Sequence, residues 1–130
     1  MHGLHLTADL LGVDPSLPLM TNPEALRSCC VAAVAQGGLS GVAELFHRFA
    51  PAPGEAGPAG ITGVVLLAES HLAVHTWPEL GGVTLDVYVC NLGRDNSDRA
   101  EAVLAALEAA FAPTQVTRGR LQRGSLRPAT

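Results

Sequence analysis

The sequence has little charge of either sign and no long hydrophobic run. Only 15% of the 130 residues are charged, and twelve acidic residues against eight basic ones give a formal net charge of −4. A nucleic-acid-binding protein is not expected, because binding to phosphate backbones needs a basic surface. A membrane protein is not expected either, since aliphatic runs such as residues 64–68 fall far short of the roughly 20 residues that a spanning helix needs.

Cysteines are also few, and their number is odd. Two of the three, Cys29 and Cys30, are sequence neighbours, so a disulfide framework is not expected and a cytoplasmic location is predicted. The first five residues contain neither a basic region nor an apolar core, so no secretory signal is predicted.

The sequence is rich in small apolar side chains. Hydrophobic residues make up 48% of the chain, and the mean hydropathy is +0.27. A disordered chain is excluded, because such chains lack apolar surface. The length predicts a single domain over residues 1–130. With so little charge, we expect a second copy of the chain to cover part of the apolar surface.

The residue pattern predicts an α+β fold, a two-layer α/β sandwich with helices on one face of a mostly antiparallel sheet. The clearest strand is residues 83–90, where apolar and polar side chains alternate. Asn22 followed by Pro23 is typical of a helix start. We predict strands at residues 4–11, 42–49, 61–67, 71–76, 83–90 and 114–120, helices at 24–36 and from a cap at 96–98 to 111, a flexible loop at 51–60 and a loose tail at 121–130.

Chemically capable side chains concentrate between Glu69 and Cys90. If the strand at 71–76 pairs with the strand at 83–90, Cys90 approaches Ser70, and a serine, an imidazole and a thiol share one face. Three interpretations stay open on these residues alone. They are ordinary packing, a metal site formed by His71 and His75 with Glu69 or Cys90, and nucleophilic catalysis in which His75 activates Ser70 and Cys90 donates a proton.

Residues 63–79, with the sequence GVVLLAESHLAVHTWPE, resemble the signature of the prokaryotic S-adenosylmethionine decarboxylases, which are pyruvoyl enzymes of spermidine biosynthesis. The resemblance extends over about residues 3–120. It includes the first strand at residues 5–10, the second at 46–49, and the strand that carries Asp86 and Cys90.

This resemblance implies a proenzyme that cleaves itself between Glu69 and Ser70 into a β chain of residues 1–69 and an α chain of residues 70–130. Ser70 would become the covalent pyruvoyl cofactor, which forms a Schiff base with the substrate amine. His75 matches the histidine that removes the Cα proton of residue 70 during processing. Cys90 matches the residue that protonates the substrate α-carbon. Thr62 stands where many relatives have a serine that assists processing.

The resemblance also implies a substrate site and a partner. Glu79 matches a carboxylate that binds the ribose hydroxyls and Phe49 an aromatic that stacks on adenine, and Leu72 and Trp77 are assigned to substrate binding, although Trp77 could equally be a core aromatic. No metal is implied. The partner would be a second processed copy, packed sheet to sheet in an αββα assembly.

Two alternative functions stay open. The first is decarboxylation of ornithine or arginine, which some relatives with the same catalytic residues carry out. The second is a non-catalytic binding protein of the same family that is never processed. Leu80 and Gly82 replace tyrosines that often follow the Trp-Pro-Glu segment, which bears on the choice of substrate.

Overall fold

The computed structural model describes residues 2–129. Its strands are β1 (Gly3–Leu11), β2 (Gly41–Arg48), β3 (Ile61–Leu67), β4 (Ser70–Trp77), β5 (Gly82–Cys90) and β6 (Gln115–Arg123). Its helices are α1 (Pro18–Thr21), α2 (Pro23–Gln36) and α3 (Ser97–Phe111), and a single 3-10 turn, Pro78–Leu80, joins β4 to β5. None of the helices in this part of the chain is long and apolar enough to cross a membrane.

The six strands form one sheet in the order β2-β3-β4-β5-β1-β6, and each neighbouring pair is antiparallel. Strict alternation along β1, β4 and β5 sends one set of side chains into the core beneath α2 and α3. Leu72, Val74 and Val87 in the sheet and Leu104 and Leu107 in α3 are fully buried there. The predicted two-layer sandwich is therefore confirmed.

The other face of the sheet, called the open face below, carries no helix among the described residues. It presents polar side chains in its middle and apolar ones around them. Leu11, Leu45, Leu66 and Leu121 lie on this face by the strand register and are each about half exposed or more.

Three local predictions need correction. The segment before Pro23, for which no helix is predicted, contains α1. Its Met20 is fully buried, and the Met20 carbonyl accepts a hydrogen bond from the Thr76 hydroxyl. Asn96 does not cap α3 with its side chain, because that amide donates to the Cys90 carbonyl, while the Asp95 carboxylate accepts from the Ser97 N–H at 2.8 Å.

The third correction concerns the end of the chain. The tail predicted from residue 121 begins later, because β6 continues to Arg123, paired with β1 as far as Gly3. This extension covers the edge that β1 would otherwise expose.

Candidate active site

The Glu69–Ser70 bond lies at the tightest turn of the sheet. Leu67 pairs with Ser70, so Ala68 and Glu69 alone connect β3 to β4. Glu69 has a φ of 61°, a left-handed conformation that costs a residue with a side chain about 1–3 kcal/mol. The Ser70 Oγ donates a hydrogen bond to the Ala68 carbonyl at 3.0 Å. Backbone strain is thus stored next to the Ser70 hydroxyl.

Cys90, the last residue of β5, shares a pocket with Ser70. The pocket has a volume of about 180 Å³ and is also lined by Glu69, Leu92 and Arg94. The Cys90 side chain is nearly buried, with 8% of the residue exposed. The predicted approach of Cys90 to Ser70 is confirmed.

His75 lies in a second pocket, at the other end of β4. Its Nδ1 is 3.0 Å from the Thr62 Oγ1 on β3, a pairing that follows from the register of the two strands. The pocket of about 170 Å³ is also lined by Phe49, Trp77 and Glu79. The structure therefore groups the imidazole with the residues assigned to the substrate, rather than with Ser70.

The prediction that a serine, an imidazole and a thiol share one face is wrong for the serine. Alternation places His75 and Cys90 on the open face, whereas Ser70 has the parity of the buried Leu72. Five residues of extended chain separate Ser70 from His75 by about 17 Å, and an odd separation directs the two side chains to opposite faces. The alternative of a metal site formed by His71 and His75 is also wrong, because four residues along a strand span about 13 Å. Only in a helix would this spacing bring the two imidazoles together.

Comparison with known proteins identifies the family. The family model described as S-adenosylmethionine decarboxylase matches residues 4–124. The chain belongs to the S-adenosylmethionine decarboxylase family. A curated S-adenosylmethionine decarboxylase proenzyme from Picrophilus torridus is 40% identical over 124 residues, which cover 95% of this chain and 85% of the relative. Another, from Persephonella marina, is 37% identical over 125 residues, covering 95% and 84%. The crystal structure of the adenosylmethionine decarboxylase from Aquifex aeolicus has a TM-score of 0.80 and 31% identity, covering 98% of this chain and 95% of that one.

Two of the substrate assignments carried by the family resemblance meet different outcomes. Leu72 is fully buried on the helix side of the sheet, so its side chain cannot contact a substrate on the open face and packs in the core instead. Trp77 is 43% exposed and lines the His75 pocket, so it is not a core aromatic. Leu72 and Trp77 are an odd number of residues apart on β4, so their side chains point to opposite faces of the sheet.

One cluster of polar side chains is not predicted from the sequence. On the open face, the Nε2 atoms of His5 and His71 each lie 3.0 Å from the same oxygen, Oδ2 of Asp86. Arg123 contacts His5 and Tyr88. Its Nη1 is 3.2 Å from the His5 Nδ1, and its guanidinium lies over the ring of Tyr88. Alternation places Asp86 and Tyr88 on one face, but only the register of β1 and β4 against β5 brings the histidines to them.

The two remaining cysteines of this decarboxylase-family chain lie away from both pockets, on α2. Cys30 is fully buried, and burial, followed by the adjacent Cys29, raises the pKa of its thiol to about 12. Burial also raises the pKa of the Cys29 thiol. Thiols that resist ionisation are poor nucleophiles, so both side chains serve the packing of α2.

Proposed function

We propose that this chain is a proenzyme that cleaves its own Glu69–Ser70 bond, and that the processed molecule decarboxylates S-adenosylmethionine. The observation that carries the proposal is the strained left-handed Glu69 immediately before Ser70, in one pocket with Cys90. The cut falls in a two-residue turn, so the β chain of residues 1–69 and the α chain of residues 70–130 stay paired along the β3–β4 ladder beyond the closing pair of Leu67 and Ser70.

Self-cleavage follows from the chemistry of Ser70. Its Oγ attacks the Glu69 carbonyl carbon, the C–N bond breaks, and an ester replaces the amide. A base then removes the Cα proton of residue 70, the Glu69 carboxylate leaves, and a dehydroalanine remains. Water adds and ammonia departs, which leaves a pyruvoyl group at residue 70. Relief of the strain at Glu69 favours the first step.

Ser70 and its surroundings suit this cofactor. When formed, the pyruvoyl group supplies the carbonyl that accepts electrons as CO₂ leaves the substrate. Cys90, in the same pocket, donates the proton that the substrate α-carbon then needs.

The pocket around His75 fits the nucleoside part of the substrate. Phe49 and Trp77 are half exposed there and offer ring faces for an adenine, and the Glu79 carboxylate can accept hydrogen bonds from ribose hydroxyls. Aromatic faces also attract a sulfonium cation. This combination favours S-adenosylmethionine over ornithine or arginine, which have no ring to stack.

We further infer that the working unit is a homodimer in which these two pockets come from different chains. Each is smaller than the roughly 300–1,000 Å³ of a typical ligand site. A two-fold axis on the open face would set the Ser70 pocket of one chain against the His75 pocket of the other, and would bury Leu45, Leu66 and Leu121 in an αββα assembly.

The decarboxylated product would be the aminopropyl donor of spermidine biosynthesis. We place this reaction in the cytoplasm, in keeping with three cysteines that are all free.

Denaturing mass spectrometry of the purified chain tests self-cleavage. Two fragments that divide after Glu69, the second with a pyruvoyl end, are expected, whereas Ser70→Ala stays intact and the control Ser16→Ala cleaves normally. An intact wild-type chain under all conditions would instead identify a non-catalytic relative.

Release of CO₂ from S-adenosylmethionine, ornithine and arginine, assayed in parallel, tests the substrate. S-adenosylmethionine is expected to be the preferred one, and faster release from either amino acid would contradict the assignment.

A further inference from the structure

The first side chain after the cleavage site is held by a carboxylate. His71 follows Ser70 directly, and its Nε2 lies 3.0 Å from Asp86 Oδ2 on β5. The same oxygen is 3.0 Å from the Nε2 of His5 on β1. All three side chains are partly buried on the open face, at 20% exposure for His5, 26% for Asp86 and 36% for His71.

The cluster has the composition of a metal site, because these two imidazoles and one carboxylate have their ligand atoms within 4.8 Å of one another. The surroundings of His5 favour hydrogen bonds instead. Arg123, which can only donate, faces the His5 Nδ1 at 3.2 Å, so Nδ1 accepts and the proton sits on Nε2. A metal on Nε2 would require the opposite tautomer, with an N–H directed at a guanidinium.

Cleavage changes what holds the start of β4. In the intact chain the turn at Ala68 and Glu69 ties Ser70 to β3. After cleavage that tie is gone, and a pyruvoyl residue has no backbone N–H to donate. His71 becomes the first residue of the α chain with a complete peptide unit. Chain ends fray unless something ties them down.

We propose that Asp86, supported by His5 and Arg123, anchors His71 and thereby positions the new end of the α chain beside Cys90. Asp86 is a positioning residue in this inference, which rests on the proposed self-cleavage. Cys90 lies two residues beyond Tyr88, the β5 partner of His71, so the anchor and the proton donor share one strand. The hydrogen bond from His71 to Asp86 holds the start of β4 in place after cleavage. In the intact chain this hydrogen bond has little effect, because the covalent turn already holds the start of β4 against β3.

Hydrogen exchange read by mass spectrometry tests this difference in the full chain. His71→Ala and His71→Gln are compared in the processed enzyme and in the uncleaved Ser70→Ala background, with His2→Asn as the control histidine. In the processed enzyme, His71→Ala should speed exchange of the first β4 amides about tenfold, the size expected for loss of one hydrogen bond to a charged group. In the uncleaved background the same change should have less than about a twofold effect.

Kinetics supply a second readout. For His71→Ala we expect kcat to fall about tenfold with KM changed less than threefold, because the reacting end is misplaced while the nucleoside pocket is intact. His71→Gln, whose amide can reach Asp86, should recover most of kcat, and Asp86→Asn should behave like His71→Ala. His2→Asn should match the wild type.

The outcomes separate the two proposals. Equal exchange changes before and after cleavage, or no loss of kcat in either His71→Ala or Asp86→Asn, would overturn the anchor and leave self-cleavage standing. Loss of cleavage in both His71→Gln and Asp86→Asn would also overturn it, since the cluster would then act before the cut. A wild-type chain that never cleaves would overturn the proposed function together with this inference.

Discussion

At the scale of single residues, the hydroxyl of Thr62 is the hydrogen-bond partner of His75. The two side chains are 3.0 Å apart, Oγ1 to Nδ1. To accept a proton at Nε2, the neutral imidazole must carry its own proton on Nδ1 and donate it to the Thr62 oxygen. By accepting from Nδ1–H, Thr62 would stabilise the tautomer that the proposed role of His75 as a base requires, and a serine at this position would do the same.

We predict that Thr62→Val slows self-cleavage about 10- to 100-fold, because the valine leaves Nδ1 without an acceptor and frees the other tautomer. Thr62→Ser should cleave at close to the wild-type rate. The fraction of intact chain against time, read by denaturing electrophoresis, gives the rates. Thr84→Val is the matched control, since Thr84 flanks His75 on the β5 side with no hydrogen bond to it within residues 2–129. A Thr62→Val chain that cleaves as fast as Thr84→Val would remove Thr62 from processing.

At the scale of elements, the β3–β4 turn stores strain that the proposed cleavage would release. Glycine adopts a φ of 61° without penalty. Glu69→Gly should therefore stabilise the uncleaved Ser70→Ala chain by about 0.5–1 kcal/mol relative to Glu69→Ala, after allowance for the greater freedom of glycine in the unfolded chain. Urea unfolding of the two variants measures the difference.

The same pair of variants in the Ser70 chain links strain to rate. Cleavage of Glu69→Gly should be up to about fivefold slower than that of Glu69→Ala, since roughly 1 kcal/mol of ground-state strain is gone. Glu69→Ala keeps the strain and removes only the carboxylate. Equal rates would mean that the turn geometry does not drive processing.

Elements were easier to predict from the sequence than contacts between them. Alternation along residues 83–90 and the Asn22-Pro23 pair each predicted their element correctly, because the signal is local. α1 was missed because four residues around Pro18 carry no periodicity, and a buried Met20 holds them in place. The early end predicted for β6 was wrong because its length depends on a distant partner, Gly3.

In the candidate site, too, contacts set by local pairing are predictable from the sequence and contacts set by distant strands are not. Ser70 and Cys90 were brought together correctly, since one hairpin and one neighbouring strand suffice. The grouping of His5, His71 and Asp86 depends on the register of three strands, which no local pattern encodes. The separation of His75 from Ser70 follows from strand geometry alone, and it is the feature that a residue-by-residue comparison with a family cannot show.

At the scale of the whole molecule, a single chain holds two small pockets at opposite ends of β4. Ser70 lies in one and His75 in the other. The open face between them is apolar at its margins, with Leu45 71% exposed and Leu121 59% exposed. The proposed two-fold dimer through this face would set each pocket against the other pocket of the partner chain, and would cover the exposed apolar surface.

Mixing two inactive variants tests this arrangement. Ser70→Ala and His75→Ala should each stay largely uncleaved alone. Co-expressed in equal amounts, they form heterodimers in which the intact Ser70 of one chain faces the intact His75 of the other. About half of the His75→Ala chains should then be cut, the share that random pairing places in heterodimers, and the Ser70→Ala chains should stay whole. Intact masses tell the two chains apart. A Ser70→Ala/His75→Ala double variant in place of Ser70→Ala should give no rescue. If the His75→Ala chain stays uncleaved in co-purified heterodimers, the composite site is wrong, and His75 would have to reach its own Ser70 by a rearrangement of β4.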